Sequence, residues 1–352
     1  MTAVSDRSAC WTARAAPTAN DGRDTGLRRY RAVIMAQIMT LGEVLIDLTQ
    51  TGTDEKGIPQ FAAFPGGAPA NVAVAASRLG AKAGFIGKIG KDAFGEQLRG
   101  TLETDRVETS FLFETESVPT TLAIVSVDER GERSFSFYRD PGADTQLTRE
   151  ESTAFLSGEL PFVLHFGSLS LTAEPSRSAA LEAAQRARGK GVLISYDPNY
   201  RAALWDSEDE AVRWMKVPLD MVDILKISDE ELLLLTGTDD LEEGSRRLGE
   251  HGISLVMITL GSEGVFYRRK GDSGEDDLRG TVPAEKVSVC DTNGAGDTFL
   301  GAVLARFAEG GGVPAERAQL EAILTFANRA AALTCSRPGA IPAMPTAEEL
   351  GE

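Results

Sequence analysis

From about residue 37 onward, short apolar segments alternate with amphipathic stretches of helical length. This alternation constrains the fold strongly, because strands that alternate with helices form βαβ units with parallel strands. It predicts strands over 38–48, 84–89, 162–166, 192–196, 222–227 and 254–260. It predicts helices over 69–79, 93–102, 176–188, 208–215, 229–235, 294–307 and 317–333. We therefore expect an α/β fold with a doubly wound, mostly parallel sheet flanked by helices.

Two β-rich segments interrupt this alternation. Residues 120–128 and 132–138 are joined by Glu-Arg-Gly at 129–131, a sequence typical of a hairpin. With the segment that follows the first strand, they are expected to form a small sheet that stands off the main body. Such a sheet is either a lid over a ligand, drawn from about 48–64 and 109–141, or an ordinary edge hairpin. The sequence favours neither reading.

Composition excludes several classes of function. The formal net charge of -17 would repel nucleic acid and anionic membrane, so neither is an expected partner. The two histidines, His165 and His251, are far apart, which argues against HExxH zinc sites and histidine-based hydrolases. The three cysteines, at 10, 290 and 335, form no CxxC pair, and their sparse use fits a cytoplasmic protein.

The first residues differ from the rest of the chain. Residues 1–34 mix Arg, Ala, Thr, Asp and Gly, without the apolar stretch of a signal peptide. We expect either a disordered extension there, which contributes nothing to folding or activity, or a start codon assigned too early, followed by one domain over 35–348. Within that domain, the charged and glycine-containing segment 269–280 predicts a solvated loop.

The strongest motif is the nonapeptide Asp-Thr-Asn-Gly-Ala-Gly-Asp-Thr-Phe at 291–299. Its small residues Gly294, Ala295 and Gly296 lie where a loop becomes a helix, and the free backbone N–H groups of a helix start bind anions. Asp297 follows in the first turn, where a carboxylate would repel a phosphate but could take a proton from an attacking hydroxyl. The alternative is a glycine-rich helix start whose Asp297 only stabilises the helix dipole.

Other nucleotide-binding motifs are missing from the sequence. It contains no GxxxxGK[ST] segment, which argues against a P-loop kinase. It also contains no strand–GxGxxG–helix unit, which argues against a dinucleotide-dependent dehydrogenase.

Two segments carry a family resemblance. The nonapeptide, followed by Gly301 and Ala302, resembles the C-terminal signature of the ribokinase-like (PfkB) carbohydrate kinases. The segment Pro-Gly-Gly-Ala-Pro-Ala-Asn at 65–71 resembles their N-terminal signature. Among these kinases the chain is most similar to fructokinases. The resemblance implies a ribokinase-like fold with a small β-sheet lid, and transfer of the γ-phosphoryl group of ATP to a sugar hydroxyl, with fructose favoured.

The resemblance also implies roles for individual residues. Asp297 would be the catalytic base, and Gly294, Ala295 and Gly296 would form the anion site beside it. The residues expected to bind the sugar are Asp47, Gly66, Gly67, Asn71 and Arg139. The segment 197–201 also resembles a fructokinase segment and follows a predicted parallel strand, where ligand crevices form.

A second group of residues would serve ATP and metal ions. The residues expected at the nucleotide are Lys226, Ser228, Glu231, Thr259, Gly261 and Asn328. Glu231 would act on Mg²⁺ indirectly, and Ser228 stands where the family motif usually has Asn. Asp291 and Asn293, with the loop at 336–341, resemble the K⁺ site of cation-activated relatives.

Several alternatives remain open at this level. A 2-keto-3-deoxygluconate kinase, a ribokinase and a nucleoside kinase are the alternatives within the family. An inactive sugar-binding regulator is the alternative outside catalysis. Analogy with the family also suggests a homodimer formed through the lid.

Overall fold

The structure is a computed structural model that describes residues 36–127, 133–271 and 277–352. The predicted extension at 1–34 and the predicted hairpin turn at 129–131 lie outside the described residues. The strands are β1 (Ile38–Leu41), β2 (Leu45–Thr53), β3 (Pro59–Gly66), β4 (Ala83–Gly90), β5 (Glu108–Thr115), β6 (Leu122–Val127), β7 (Arg133–Tyr138), β8 (Val163–Gly167), β9 (Leu193–Asp197), β10 (Ile224–Ser228), β11 (Leu255–Thr259), β12 (Val265–Arg269) and β13 (Leu278–Val282). The helices are α1 (Ala68–Arg78), α2 (Ala93–Thr104), α3 (Arg149–Thr153), α4 (Ser176–Arg188), α5 (Glu208–Lys216), α6 (Asp229–Thr236), α7 (Leu241–Gly249), α8 (Ala295–Gly310) and α9 (Arg317–Cys335).

The main sheet has the strand order β13-β12-β11-β10-β9-β8-β1-β4-β5. Its strands from β11 to β5 are parallel, and β12 and β13 add antiparallel strands at one edge. The chain runs outward from β1 in one direction through β4 and β5, and in the other through β8 to β11. The order therefore reverses beside β1, which is where ligands bind in open α/β sheets. The doubly wound, mostly parallel fold predicted from the sequence is confirmed.

Both faces of this sheet are covered. On β11, Leu255 and Met257 belong to the same core as residues of α1, α8 and α9, whereas Val256 and Ile258 are buried on the opposite face. Because side chains alternate between the two faces of a strand, a strand buried on both faces has a continuous apolar sequence. This explains why the predicted strands are unbroken apolar segments.

A second sheet of four strands has the order β3-β2-β6-β7. Within it β2 and β6 are parallel, and the other pairs are antiparallel. The sequence predicted such a sheet from the same two separated regions. Residues 109–115, which were included in the expected lid, instead lie in β5 at the edge of the main sheet, because they pair with β4.

Two further boundaries differ from the predictions, and several elements were not predicted. The single strand predicted over 38–48 is two strands, since the chain leaves the main sheet after Leu41 and enters the small sheet at Leu45. The predicted loop over 269–280 contains the end of β12 and the start of β13. The strands β5, β12 and β13 and the helices α3 and α7 were not predicted. Among the described helices, none has the length and hydrophobicity needed to cross a bilayer.

Helices α1 and α8 approach each other very closely. A Cβ atom added at Gly301 would lie 2.6 Å from Ala75 Cβ and 2.9 Å from the Val72 carbonyl oxygen. Glycine is therefore required in α8 at this crossing. The close contact brings the first turns of the two helices together, and these turns carry Asn71 and Asp297.

Candidate active site

The first turn of α8 has the features of an anion site. Its N-cap residue is Gly294, with φ of 74°, and no side chain caps the helix. The N–H groups of Gly296 and Asp297 have no acceptor within the helix, because no earlier turn provides one. A Cβ at Gly294 would lie 3.0 Å from Ala340 Cβ, and one at Gly296 would lie 3.0 Å from Lys226 Nζ. Gly294 thus fits its turn against Ala340, and Gly296 leaves the backbone beside Lys226 uncovered by a side chain.

Two cavities meet at this helix start. The smaller, of about 80 Å³, is lined by Glu43, Leu45, Asp47, Gly67, Ala68, Asn71, Ala123, Phe137, Leu169, Asn199, Arg201, Asn293, Gly294, Asp297 and Ala340. The larger, of about 690 Å³, includes among its lining residues Thr259, Gly261, Thr292, Ala295, Gly296 and Asn328. Residues 292–297 therefore separate the two cavities, with Asp297 on the smaller side and Gly296 on the larger.

Asp297 is held by a neighbouring amide. Its Oδ2 atom accepts a hydrogen bond of 2.8 Å from Nδ2 of Asn71. Burial raises the pKa of Asp297 to about 6, and Asp197 acts in the same direction. The bond from Asn71 and the charges of Lys226 and Arg201 lower that pKa in part. Near neutral pH the group is mostly an ionised carboxylate and remains basic enough to accept a proton.

Asp47 lies on β2 at the smaller cavity, and Gly66 makes room for it. A Cβ at Gly66 would lie 2.4 Å from Oδ2 of Asp47, so a side chain there would displace the carboxylate. Burial raises the pKa of Asp47 to about 6. The Arg201 charge lowers this pKa, whereas Asp297 and Asp291 raise it. Asp47 and Asp297 therefore present two carboxylates with raised pKa values to one cavity.

Gly67 sets the entry of α1. Its φ is 105°, and a Cβ there would lie 2.5 Å from the carbonyl oxygen of Glu43. Only glycine fits such a backbone at such a distance. The helix starts at once, and the N–H of Asn71 donates to the Gly67 carbonyl oxygen at 2.8 Å. The Asn71 side chain is buried, and its Oδ1 atom has no hydrogen-bond partner among the described residues.

Lys226 lies beneath the anion site. Its Nζ atom donates to Oδ2 of Asp197 at 2.7 Å, and both side chains are buried. Burial lowers the pKa of Lys226, but the charges of Asp197 and Glu231 outweigh it and leave this pKa above its ordinary value. Lys226 is therefore charged and paired with Asp197, and its Nζ atom lies next to Gly296.

Ser228 and Glu231 form a capping box at the start of α6. The Glu231 N–H donates to Oγ of Ser228 at 3.1 Å, and the Ser228 N–H donates to Oε2 of Glu231 at 2.8 Å. The other oxygen of Glu231 accepts from the Tyr200 N–H at 2.7 Å. Burial and Asp197 raise the pKa of Glu231, while Lys226 lowers it. Glu231 thus ties α6 to the segment that carries Arg201.

The remaining nucleotide candidates line the larger cavity. Thr259 and Gly261 lie at the end of β11 and in the turn after it. The Asn328 amide donates to the carbonyl oxygens of Val282 and Pro283 at 3.1 and 3.0 Å, so it also holds that wall of the cavity.

Asp291 joins two loops. Its Oδ1 accepts from the Asn293 N–H at 3.0 Å, and its Oδ2 accepts from the Gly339 N–H at 3.1 Å. These are the two loops that the family resemblance assigned to a K⁺ site. In the described part of the chain, no cluster of three or more His, Cys, Asp or Glu side chains could hold a metal ion.

Arg139 does not line the smaller cavity. Its buried guanidinium bonds to Asp144, to the Thr172 hydroxyl and to the Leu169 carbonyl oxygen, at 2.8, 2.6 and 2.9 Å. It therefore holds Leu169, which does line the cavity, instead of offering free donors to a sugar.

The sequence analysis missed three polar residues of the smaller cavity, Glu43, Asn199 and Arg201. Asn199 and Arg201 belong to the segment after β9 that was noted without a role for these side chains. The position of that segment at the carboxyl end of a parallel strand was the available signal. Glu43 directly precedes the segment that leads to Asp47, but nothing local distinguishes it from a surface glutamate.

The geometry agrees with comparisons to known proteins. Residues 35–347 match the pfkB family carbohydrate kinases, so the chain belongs to this family. It is 41% identical over 316 residues to a probable fructokinase-4 of Arabidopsis thaliana, which covers 89% of this chain and 95% of that protein.

Two solved structures are also similar. Fructokinase of Xylella fastidiosa with bound ATP has a TM-score of 0.79 and 31% identity, covering 90% of this chain and 97% of that one. Fructokinase of Vibrio cholerae O395, bound to fructose, ADP and a calcium ion, has a TM-score of 0.79 and 32% identity, covering 90% and 98%.

Proposed function

We propose that this protein is a fructokinase, which transfers the γ-phosphoryl group of ATP to fructose and forms fructose 6-phosphate and ADP. The observation that carries the proposal is the meeting of two cavities at the start of α8, with Asp297 on one side and the glycine backbone on the other. One cavity is lined by carboxylate and amide groups that can bind hydroxyls, and the other has room for a nucleotide. The 41% identity to a probable fructokinase over most of the chain supports fructose as the acceptor.

In the proposed reaction Asp297 is the base. Asn71 donates to its Oδ2 atom, and we infer that Oδ1 takes the proton of an incoming hydroxyl. As the sugar oxygen forms its bond to the γ-phosphorus, the hydroxyl proton passes to Asp297, and the bond from phosphorus to the ADP oxygen breaks. Phosphoryl transfer depends mainly on positioning and charge neutralisation, so a single base and an anion site suffice.

The sugar would be held by the polar side chains of the smaller cavity. The Asp47 carboxylate and Oδ1 of Asn71, which has no partner in the described part of the chain, would accept hydrogen bonds from hydroxyl groups. Ala123 of β6 and Phe137 of β7 line the same cavity. We infer from this that the small sheet is a lid over the sugar, within one kinase domain over 35–348.

ATP would lie in the larger cavity, with its γ-phosphate on the N–H groups of Gly296 and Asp297. Lys226, beneath Gly296 and paired with Asp197, would also contact the phosphate there. Mg²⁺ fits the residues present as an ion held mainly by ATP phosphates and water, because Glu231 commits both oxygens to backbone N–H groups. Bound there, it would neutralise phosphate charge, with Glu231 placed to act only through water.

Three further properties belong to the proposal. Asp291, Asn293 and the loop at 336–341 would hold K⁺, a hard ion suited to oxygen ligands, with Asp291 joining the two loops through its bonds to the Asn293 and Gly339 N–H groups. The protein would form a homodimer through the small sheet, where Phe61 and Tyr138 are exposed.

It would act in the cytoplasm, where ATP is abundant.

The proposal is tested by measuring ADP release with a panel of acceptors. The panel contains fructose, ribose, adenosine and 2-keto-3-deoxygluconate. We expect the highest kcat/KM with fructose. A clearly higher kcat/KM for another acceptor would contradict fructose as the preferred substrate, but the assignment as a sugar kinase would stand. No turnover with any of them would favour a sugar-binding regulator.

A further inference from the structure

Glu43 is a buried carboxyl group that the proposed reaction does not use. It lies in the short connection between β1 and β2, and its side chain is almost completely buried. It nevertheless lines the smaller cavity together with Asp47, Asn71 and Asp297. A buried acidic side chain is costly unless its oxygens are hydrogen-bonded, so its partners identify its role.

Among the residues that the structure describes, only one oxygen of Glu43 has a hydrogen-bond partner. Oε1 accepts from the Ala68 N–H at 3.0 Å, at the first residue of α1. Oε2 is buried and has no hydrogen-bond partner within the described chain. Arg139 does not supply one, since its guanidinium is committed to Asp144, Thr172 and Leu169. Capping of α1 therefore explains why Oε1 is buried, but it does not explain why Oε2 is buried.

The charge state of Glu43 also fits an acceptor. Burial raises its pKa to about 7, and nearby backbone N–H groups and Arg139 lower it only in part. Near neutral pH a large fraction of the group is ionised, so a hydroxyl that donates to Oε2 would stabilise a charge that the protein alone stabilises poorly.

We propose that Oε2 of Glu43 accepts a hydrogen bond from a hydroxyl of the bound sugar other than the one that is phosphorylated. Glu43 is then a specificity-determining residue, which selects acceptors that carry that hydroxyl. A site whose buried acceptor is left unpaired rejects the analogue that lacks the donor much more strongly than a merely apolar pocket would. The inference rests on the proposed sugar kinase activity and deepens it.

The test combines a variant with substrate analogues. Wild type and Glu43→Gln are assayed with fructose and with fructose analogues that each lack one hydroxyl. Glutamine keeps an oxygen for the Ala68 N–H and removes the charged acceptor. We expect Glu43→Gln to lose about tenfold or more in kcat/KM with fructose. One analogue should lack the hydroxyl that bonds Glu43. With that analogue, the kcat/KM of the wild type should already be lower than with fructose by this factor, and Glu43→Gln should lower it little further.

Matched variants separate this role from stability. Glu151→Gln changes another helix-capping glutamate, one whose Oε2 already bonds Lys88 and the Thr148 N–H and which does not line the cavity. It should discriminate among the analogues as the wild type does. Glu43→Met removes both oxygens and should show the same loss of discrimination as Glu43→Gln. Each variant is assayed below its own melting temperature, so that a loss of activity does not come from unfolding. If one Glu43 variant does not fold, the other is sufficient for the test.

The outcomes distinguish the inference from the function on which it rests. If wild type does not phosphorylate fructose, the proposed function fails. If wild type is active but both Glu43 variants lose the same factor with every analogue, Glu43 only caps α1 and the inference is overturned. Loss of discrimination at one hydroxyl, with the other hydroxyls unaffected, is the result that supports it.

Discussion

The Asn71 side-chain amide donates a hydrogen bond of 2.8 Å to the Asp297 carboxylate, across 226 residues of sequence. Each residue sits in the first turns of its helix, and the Gly301 contact with Ala75 brings the two helices together. The bond selects one carboxylate oxygen and stabilises the ionised form. Asn71 therefore positions the proposed base in addition to contacting the sugar cavity.

Asn71→Leu should move the acid limb of the pH profile of kcat. Loss of the donated hydrogen bond raises the pKa of Asp297, so the base becomes protonated at a higher pH. We expect the limb to rise by about one pH unit, the size expected from one hydrogen bond to a charged group. The profile is measured at saturating fructose and ATP. A higher fructose KM with an unmoved limb would mean that Asn71 acts on the sugar alone.

For the wild type, kcat/KM should fall as the pH drops through about 6. Burial raises the pKa values of Asp297 and Asp47 to about 6, and a base works only when ionised. Stability has the opposite sign. Because both folded pKa values exceed the ordinary value of 3.8, the contribution of these groups to stability is full at low pH and is lost as the pH rises through about 6. A pH–rate profile that stays flat down to pH 4 would contradict this account.

Gly301→Ala should destabilise the protein and lower kcat. The added methyl group would lie 2.6 Å from Ala75 Cβ, and overpacking of this kind costs about 1–3 kcal/mol. Separation of α1 from α8 would also lengthen the Asn71–Asp297 bond. Gly310→Ala is the matched control, since the same helix has open space there, and it should be neutral or stabilising by up to about 1 kcal/mol. Equal melting temperatures for the two variants would exclude a close helix contact.

Arg139→Met should chiefly lower stability. Removal of one partner from a buried ion pair leaves Asp144 uncompensated, at a cost of about 3–5 kcal/mol. The sequence resemblance assigned Arg139 to the sugar, which would instead raise the fructose KM without affecting melting. Denaturant unfolding together with fructose kinetics separates the two roles.

The sequence indicates the central parts of the candidate site because these parts are local. The glycines around Asp297 and Asn71 form loop–helix junctions, and a short segment is enough to specify such a junction. Arg139 could not be placed in this way, since its partners Asp144, Leu169 and Thr172 are brought to it only by the folded chain. For the same reason, the sequence did not indicate that Glu43 and Arg201 line the smaller cavity.

The sequence also indicated some parts of the fold and not others. Parallel strands buried on both faces are visible as apolar runs, whereas the edge strand β13 alternates between exposed and partly buried residues. The apolar run at 38–48 gave no sign that the chain changes sheets at Gly42, where a Cβ would lie 2.7 Å from Pro69 Cγ. That break depends on a contact with α1, which the local sequence does not encode.

The most direct test of the account is the turnover of Asp297→Asn. Asparagine keeps the size of the side chain and can still accept from Asn71, but it is not a base. Loss of a general base typically costs about 10²–10⁴ in rate. We expect kcat to fall by that factor while ATP and fructose binding persist and the melting temperature at neutral pH is unchanged or higher. A variant that keeps more than about a tenth of the wild-type kcat would contradict the assignment of Asp297 as the base.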